Sequence, residues 1–251
     1  MPSAIRNKGT LVVATDATYA PMEFIASDGK TVIGADADLA KALGQVMGLK
    51  VNMTNATFDT ILPGLQSGKY DLGMSAFTDT LERQKIVDFV TYFEAGTSFY
   101  VKSSGGPAIQ SLADLCGHTV AVEKGTTQQA DAQAQTTKCR NSGKAAVTVQ
   151  VYNDQNAVNL ALSSGRAEVA MADSPVAEYQ VKQSKGQFKT TGPSYANAPY
   201  GIAIPKGSGM TQPVLAALKH LMDDGTYMQI LKRWGLQSGA ISNPGINKAT
   251  S

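Results

Sequence analysis

The chain has 251 residues, of which 43% are apolar and 17% are charged, and its 22 Lys and Arg residues nearly balance 20 Asp and Glu residues. This length and composition suit one large globular domain or two smaller lobes, and they exclude a low-complexity or disordered chain. There is no clustered basic run of the kind that nucleic-acid-binding proteins carry, and no apolar run reaches the roughly 20 residues of a membrane-spanning helix.

Apolar, β-branched runs alternate with amphipathic segments along the chain, which predicts an α/β protein. The predicted strands are 10–15, 22–26, 31–33, 50–54, 71–74, 97–101, 119–122, 148–152, 169–172 and 200–205. The predicted helices are 36–47, a helix from Asp59, a helix carrying Arg83, 111–115, a helix opened by the loop 123–128, 153–163, 175–184, 210–223 and 226–234. We expect the Gly-, Ser- and Asn-rich tail from Gln237 to have little fixed structure.

Two stretches that contain Gly and Pro, 103–107 and 192–199, interrupt this series. The alternation of strand and helix begins again after the first stretch, and a strand resumes after the second. We therefore predict two α/β lobes, lobe 1 formed by 1–102 and 197–251 and lobe 2 by 103–196. Two crossings between lobes favour a hinge over a single linker.

Cys116 and Cys139 are the only cysteines. Without a CxxC pair or nearby histidines they do not form a zinc site. They are either two independent buried thiols or one disulfide in an exporting compartment, and we favour the disulfide, which would contribute roughly 3 kcal/mol by restricting the unfolded chain. The sequence starts without a secretory signal, which leaves a cytosolic protein or a mature form whose signal was removed.

The stretch from Phe58 to Phe89 contains the first candidate site. A polar turn, 75–80, follows a predicted strand, and Arg83 lies just inside the next predicted helix. An arginine beside the backbone N–H groups of a helix start suits a small carboxylate, although an ordinary surface arginine is the alternative. The polar, Pro-containing loop 16–21 also follows a predicted strand, where α/β proteins tend to place ligand-binding residues.

Segments in order along nearly the whole chain resemble the polar amino-acid-binding proteins of ABC importers, which have the type 2 periplasmic-binding-protein fold. The matching segments are LVVATDATYAPMEF (11–24), GADADLAKAL (34–43), FDTILPGLQSGKYDLGMSAFTDTLERQKIVDF (58–89), LCGHTVAVEKGTTQ (115–128), SGRAEVAMADSPVAEY (164–179), YGIAIPKGS (200–208) and DGTYMQILKRWG (224–235). The resemblance implies two Rossmann-like lobes that close on a free L-amino acid like a clamshell. It also implies an importer permease as partner, no cofactor, a monomer, and a periplasmic, lipid-anchored or secreted location.

The resemblance further implies roles for single residues that bind the common part of every amino acid. Arg83 would hold the α-carboxylate, with Thr78 and the backbone of Ala76 beside it. Asp173 in lobe 2 would hold the α-ammonium, although an aspartate before Ser-Pro can also cap the helix that follows it. Because an aspartate at this position can do both, the two roles are left open.

Other residues of this resemblance surround the remainder of the ligand. Thr127 and Gln128 would contact the carboxylate end, or would be only a helix start. Tyr19 and Phe58 would enclose the side chain beside Asp16, or would be plain core aromatics. The complete candidate ligand-binding set is Asp16, Tyr19, Phe58, Ala76, Phe77, Thr78, Arg83, Glu123, Thr127, Gln128 and Asp173.

Charge balance favours a basic ligand. With its carboxylate on Arg83 and its ammonium on Asp173, a ligand would leave Asp16 and Glu123 as acids near its side chain, unless Glu123 is a solvated glutamate at a strand end. Enclosing these acids without a counter-charge would cost several kcal/mol. We therefore predict arginine, lysine or ornithine as ligand, with glutamine as the alternative because Asp16 can accept from an amide.

Two rival functions remain. A dehydratase-type enzyme on the same scaffold would need a positioned general acid, and no nucleophile–base pair or metal cluster accompanies Glu123 or Asp173 in the sequence. A ligand-sensing lobe of a larger receptor would need flanking signalling or membrane-spanning sequence. We predict a binding protein and not an enzyme.

Overall fold

The computed structural model describes residues 1–249, which form helices and strands that alternate along the chain. The helices are α1 (Ser3–Lys8), α2 (Ala35–Met47), α3 (Phe58–Gln66), α4 (Leu81–Gln84), α5 (Thr127–Asn141), α6 (Gln155–Ser164), α7 (Ser174–Gln183), α8 (Thr211–Asp223) and α9 (Thr226–Trp234), with short 3-10 helices at Leu112–Leu115 and Gln237–Gly239. Within 1–249, no helix is long and apolar enough to cross a membrane.

The strands follow the predicted positions closely, with the exceptions given below. They are β1 (Thr10–Thr15), β2 (Thr18–Tyr19), β3 (Glu23–Ile25), β4 (Val32–Ile33), β5 (Lys50–Asn55), β6 (Leu72–Gly73), β7 (Val87–Lys102), β8 (Thr119–Glu123), β9 (Thr148–Tyr152), β10 (Val169–Asp173) and β11 (Phe188–Pro205). The chain divides into two compact units, unit 1 with residues 1–95 and 198–251 and unit 2 with residues 96–197. The sequence-based lobe limits after 102 and 196 stay predictions.

In unit 1 the strand order is β5-β1-β6-β11-β7. Strand β1 runs parallel to both of its neighbours, with Thr10 opposite Lys50 and Val13 opposite Leu72. The carboxyl ends of β1 and β6 therefore lie at one edge of the sheet, where Asp16 follows β1. A small antiparallel sheet, β2-β3-β4, continues from that loop.

In unit 2 the strand order is β7-β10-β8-β9, with β8 parallel to β9 and β10. The carboxyl ends of β8 and β10 also share one edge, and Glu123 and Asp173 are the last residues of these strands. One face of this sheet is covered by a fully buried apolar cluster that includes Phe99, Val122 and Met171.

The stretch 192–199 does not interrupt the strands as predicted, because these residues lie inside β11, although the boundary between the two units, after residue 197, falls within it. Gly192 and Ala196 have positive φ angles of 66° and 52°, so the strand bends without ending. Gly and Pro mark such bends as readily as they mark loops. The predicted strand 97–101 is likewise only part of β7, which continues back to Val87.

The prediction of little fixed structure in the tail is also wrong for residues 237–249, while 250 and 251 lie outside the described residues. The backbones of Ala240 and Ile246 pair with Phe93 and Val90 of β7. The backbone N–H groups of Lys248 and Ala249 donate to Asp79 Oδ2 at 2.6 and 3.1 Å. Pairing with the tail gives backbone N–H and C=O groups of β7 their hydrogen-bond partners. The polar composition of the tail does not predict this pairing.

The predicted disulfide is confirmed, since Cys116 and Cys139 are bonded across 23 positions of sequence. The bond joins the end of the first 3-10 helix to the last turn of α5. Cys139 is fully buried in the apolar cluster of unit 2. The bridge therefore fixes the end of α5 that lies away from Thr127 and Gln128.

Replacing both cysteines by alanine is expected to lower the free energy of unfolding by about 3 kcal/mol, because the unfolded chain regains its loop entropy. Denaturant unfolding of the oxidised protein and of the double variant measures this difference. Reduction of the unchanged protein serves as the control and should give a similar loss. A double variant as stable as the oxidised protein would contradict the prediction.

Candidate functional site

Asp16 connects the two strand ends of unit 1. Its backbone N–H donates to Ser75 Oγ at 2.8 Å, so the loop after β1 is tied to the turn after β6. Its carboxylate accepts from Phe58 N at 2.9 Å and from Thr18 Oγ1 at 2.7 Å, and the residue is 2% exposed. Phe58 is the first residue of α3, where a negative charge is favourable. Asp16 therefore holds its loop against the start of α3.

Three aromatic side chains form a wall beside Asp16, which we call the aromatic wall (Tyr19, Phe58 and Phe77). The ring of Tyr19 meets that of Phe58 edge-on, with centroids 5.8 Å apart. The ring of Phe58 stacks on that of Phe77 at 4.5 Å. All three residues are buried, so the core role left open for Tyr19 and Phe58 and the ligand role are both compatible with their positions.

The guanidinium of Arg83 lies over the aromatic wall. Its central carbon is 5.1 Å from the centroid of Phe58 and 5.5 Å from that of Phe77, which are cation–π distances. Arg83 Nη1 donates to the carbonyl of Thr78 at 2.8 Å. The residue is 9% exposed, so the alternative of an ordinary surface arginine is wrong. A guanidinium has five donors in one plane, so a ligand carboxylate can bind in addition to Thr78.

The turn that contains Ala76 and Thr78 is held from two sides. Gly201 N donates to the Phe77 carbonyl at 2.8 Å, and Thr78 pairs with Tyr200 of β11. Ala76 has a φ of 47°, and its N–H donates to Asp36 Oδ2 at 3.1 Å. The Ala76 N–H is thus used inside the protein, and its carbonyl is the backbone group that could accept from a ligand ammonium.

Two buried acids behind this turn, Glu23 and Asp36, were not predicted as part of a site. Both are fully buried, and burial first, then the neighbouring Asp36 charge, raises the pKa of Glu23 well above its usual value. Burial also raises the pKa of Asp36 to about 6. A sequence signal existed, because Asp36 lies three and seven residues before Leu39 and Leu43 and so shares the buried face of α2.

In unit 2, Asp173 is held by Gln128. Gln128 Nε2 donates to Asp173 Oδ1 at 2.6 Å and to Thr97 Oγ1 at 2.8 Å. Asp173 occupies the residue before α7, yet its side chain makes no capping hydrogen bond to that helix. Helix capping therefore does not explain Asp173, and a role for its carboxylate toward a cationic group stays the stronger hypothesis.

The start of α5 is well formed. The hydroxyl of Thr126 accepts from Gln129 N at 3.2 Å and donates to the Glu123 carbonyl at 2.7 Å. The helix then runs for 15 residues from Thr127. Backbone N–H groups at such a helix start favour a negatively charged ligand group. The expected contact of Thr127 and Gln128 with a ligand carboxylate stays a prediction.

Glu123 is 1% exposed, so the alternative of a solvated glutamate is wrong. It lies on the sheet face of Tyr100, whose pKa is raised by burial and then by the Glu123 charge. The Asp173 side chain instead lies on the face of Phe99 and Met171, where Gln128 of α5 donates to it. The two acids share one edge of the sheet but lie on opposite faces, as side-chain alternation and the pairing of Val169 with Val120 require.

The site residues fall into two groups, one in each unit. Unit 1 brings together Asp16, Tyr19, Phe58, Ala76, Phe77, Thr78 and Arg83. Unit 2 brings together Thr127, Gln128 and Asp173, with Glu123 at the same sheet edge. Within residues 1–249, no group of three or more His, Cys, Asp and Glu side chains could hold a metal ion.

Comparison with known proteins identifies the fold and its relatives. Residues 11–237 match the family "Bacterial extracellular solute-binding proteins, family 3". The arginine-binding protein ArgT of Corynebacterium glutamicum is 34% identical over 249 residues, which is 99% of this chain and 81% of the relative.

Solved structures of amino-acid-binding proteins are also similar to this chain. An ancestral arginine-binding protein bound to arginine has a TM-score of 0.82 and 38% identity over 90% of this chain and 98% of its own. Such an ancestral protein bound to glutamine has the same TM-score and identity, over 91% and 98% of the two chains. AncCDT-1, an ancestral amino acid-binding protein described as a precursor of cyclohexadienyl dehydratase, has a TM-score of 0.82 and 36% identity over 92% and 97%. The predicted type 2 periplasmic-binding-protein fold is thereby confirmed.

Proposed function

Because this chain belongs to the bacterial extracellular solute-binding proteins of family 3, we propose that it binds free L-arginine outside the cytoplasm and delivers it to the permease of an ABC importer. The proposal has two parts, the binding of an amino acid and the choice of arginine among amino acids. Different observations support each part. The predicted monomeric state and the predicted closure on the ligand stay predictions.

The position of Arg83 is the observation that carries the first part. The Thr78 carbonyl and the aromatic wall fix the plane of the guanidinium. A fixed plane matches the two oxygens of a carboxylate, which a lysine cannot reproduce. In unit 2, Gln128 orients the carboxylate of Asp173, which suits it to the ammonium of the same ligand. The two charges together select a zwitterion.

The choice of arginine rests on relatives and on charge. ArgT is an arginine-binding protein, and an ancestral arginine-binding protein matches this fold with arginine bound. Asp16 and Glu123 are buried acids at the strand ends that belong to the candidate set. A guanidinium-bearing ligand would offset such charge, while an acidic amino acid would add to it. Lysine and ornithine carry the same charge without the planar fork.

Glutamine is a second candidate ligand, and a specific observation favours it. An ancestral arginine-binding protein also matches with glutamine bound. A dehydratase is not proposed, since ArgT and AncCDT-1 are both binding proteins, although AncCDT-1 is described as the precursor of such an enzyme.

Calorimetry or thermal shift against the twenty amino acids, ornithine and citrulline is expected to place L-arginine as the tightest ligand. Ligand that binds only the folded protein raises its melting temperature by mass action, so the preferred ligand gives the largest shift.

Glu123→Gln, measured on the same panel, should raise the Kd for arginine by roughly tenfold and the Kd for glutamine by less, because the loss of a buried negative charge matters most to a cationic ligand.

Two outcomes would contradict these expectations. Tightest binding of glutamine would replace the proposed ligand, and an absence of binding to any of these compounds would remove the proposed function. Equal losses for arginine and glutamine in Glu123→Gln would show that Glu123 does not select the ligand. Citrulline, which has the shape of arginine without its charge, separates the effect of charge from that of size.

A further inference from the structure

Glu23 and Asp36 form a buried pair beneath the turn at Ser75 and Ala76. We propose that this pair shares one proton and acts as a positioning element of the ligand site, holding the turn and the Asp16 loop in the geometry that binds the ligand. The inference rests on the proposed function for the identity of the ligand. Neither residue belongs to the candidate ligand-binding set.

The hydrogen bonds of the pair lead directly to the candidate site. Ser75 Oγ donates to Glu23 Oε1 at 3.0 Å and accepts from Asp16 N at 2.8 Å. Asp36 Oδ2 accepts from Ala76 N at 3.1 Å. Glu23 is thus linked to the Asp16 backbone through the Ser75 hydroxyl, and Asp36 is linked to the turn through the backbone N–H of Ala76.

The backbone of Ala76 is strained and depends on such hydrogen bonds. Its φ of 47° lies in the left-handed region, which residues other than glycine seldom adopt. The Asp36 contact holds the amide of that residue. The same turn includes Thr78, whose carbonyl orients the Arg83 guanidinium. Displacement of Ala76 would therefore also displace the group that fixes Arg83.

One proton satisfies the pair. Glu23 Oε2 is buried and has no hydrogen-bond partner among the described atoms, so it is the oxygen that carries the shared proton toward Asp36 in this proposal. Asp36 also accepts from the hydroxyl of Tyr92, which lies 2.7 Å from both carboxylate oxygens. Two adjacent carboxyl groups in a buried setting cannot both ionise without a large cost. Asp36 is then the anion, with three donors, and Glu23 is the neutral acid.

The groups that face this pair come from each neighbouring element and include no cation among those described. They are Asp16 after β1, Ser75 after β6, and Tyr92 of β7, with Tyr200 of β11 next to Tyr92. The Asp16 charge raises the pKa of Glu23 further, after the larger effects of burial and of Asp36. The surroundings therefore favour the singly protonated pair.

Two substitutions at Glu23 separate the possibilities. Glu23→Leu removes both the acceptor for Ser75 and the donor to Asp36 at similar volume. Glu23→Gln keeps one acceptor and one donor in the place of the protonated acid. We expect Glu23→Leu to raise the Kd for arginine by about tenfold or more, and Glu23→Gln to restore it to within about threefold of the unchanged protein.

Val214→Ala is the control for lost stability. Val214 is fully buried in α8 of unit 1, and no residue of α8 hydrogen-bonds to the pair or to residues 75–78 in the described part of the chain. This variant loses buried methyl groups and some stability, and its Kd should not change. Hydrogen exchange of the peptide that covers 72–77 gives a second readout without ligand. Exchange there should rise in Glu23→Leu and return to normal in Glu23→Gln.

The pH dependence of stability tests the shared proton. The pKa of Glu23 is raised in the folded protein, so its contribution is fully present below its ordinary value of 4.5 and is lost as pH rises toward the folded-state value. Glu23→Gln cannot ionise. Its melting temperature relative to the unchanged protein should therefore increase as pH rises above 4.5.

Each outcome decides a separate point. If the unchanged protein fails to bind arginine, the proposed function fails, while hydrogen exchange still tests the positioning role. If Glu23→Leu binds like the unchanged protein, or Val214→Ala loses as much affinity at equal stability, the inference is overturned. Failure of Glu23→Gln to restore affinity would overturn the shared proton. Should Glu23→Leu not fold, Tyr92→Phe, which removes a donor to Asp36, provides the same comparison with a smaller expected loss.

Discussion

Arg83→Ala is expected to raise the Kd for arginine by roughly a thousandfold, equivalent to about 4 kcal/mol, and to abolish detectable binding of other amino acids. The guanidinium is buried and would make a paired, charge-assisted contact, and removal of one partner from such a contact costs several kcal/mol. The loss should be similar for arginine and glutamine, because both present the same carboxylate. Calorimetry measures the loss for arginine and sets a lower limit on it for glutamine.

Two further variants show whether the loss comes from the planar guanidinium of Arg83 or from the removal of any arginine. Arg83→Lys keeps the charge without the planar fork and should recover only part of the affinity. Arg233→Ala removes an arginine whose side chain is 69% exposed and pairs with Asp38 at the surface, so its Kd should stay within about twofold. An Arg83→Ala protein that keeps its affinity within tenfold would remove the carboxylate assignment.

Asp173→Asn is expected to raise the Kd for arginine by about fiftyfold, because a charge-assisted hydrogen bond to the ligand ammonium becomes a neutral one. The sharper test uses the 2-hydroxy analogue of arginine, which lacks the ammonium. The unchanged protein should prefer arginine strongly over this analogue. Asp173→Asn should lose most of that preference, since it weakens only the ligand that carries the ammonium.

Asp154→Asn is the control for this substitution in the same unit. Asp154 caps α6 through its contact with Ala157 N, and asparagine caps helices equally well. Neither stability nor Kd should change appreciably. If Asp173→Asn weakens arginine and its 2-hydroxy analogue equally, Asp173 does not bind the ammonium.

The βα units and most of their limits could be predicted from the sequence because local patterns determine them. Leu39 and Leu43 mark the buried face of α2, and α9 has the predicted bounds at Thr226 and Trp234. The tail could not be predicted, since its order depends on pairing with β7, which is distant in the sequence. The strand through 192–199 was missed because Gly and Pro signal bends and breaks alike.

The candidate site was predictable to a similar extent. Arg83 and the aromatic wall lie within short segments whose resemblance to a family is specific. Glu23 and Asp36 were not predicted, because their importance depends on distant contacts with Ser75 and Ala76. For the same reason, the sequence could not show that Asp173 is held by Gln128 instead of capping α7.

The ordered tail has a consequence for the use of this protein as a sensor of the ligand proposed above. Asp79, the neighbour of Thr78, accepts from the backbone of Lys248 and Ala249, so the tail holds the residue beside the candidate ligand turn. A fluorescent reporter joined closely after Ala249 would transmit its own pull to that turn. A flexible spacer before the reporter should therefore preserve the calibration of the sensor, and a deliberately short one offers a way to retune its working range without touching a ligand-binding side chain.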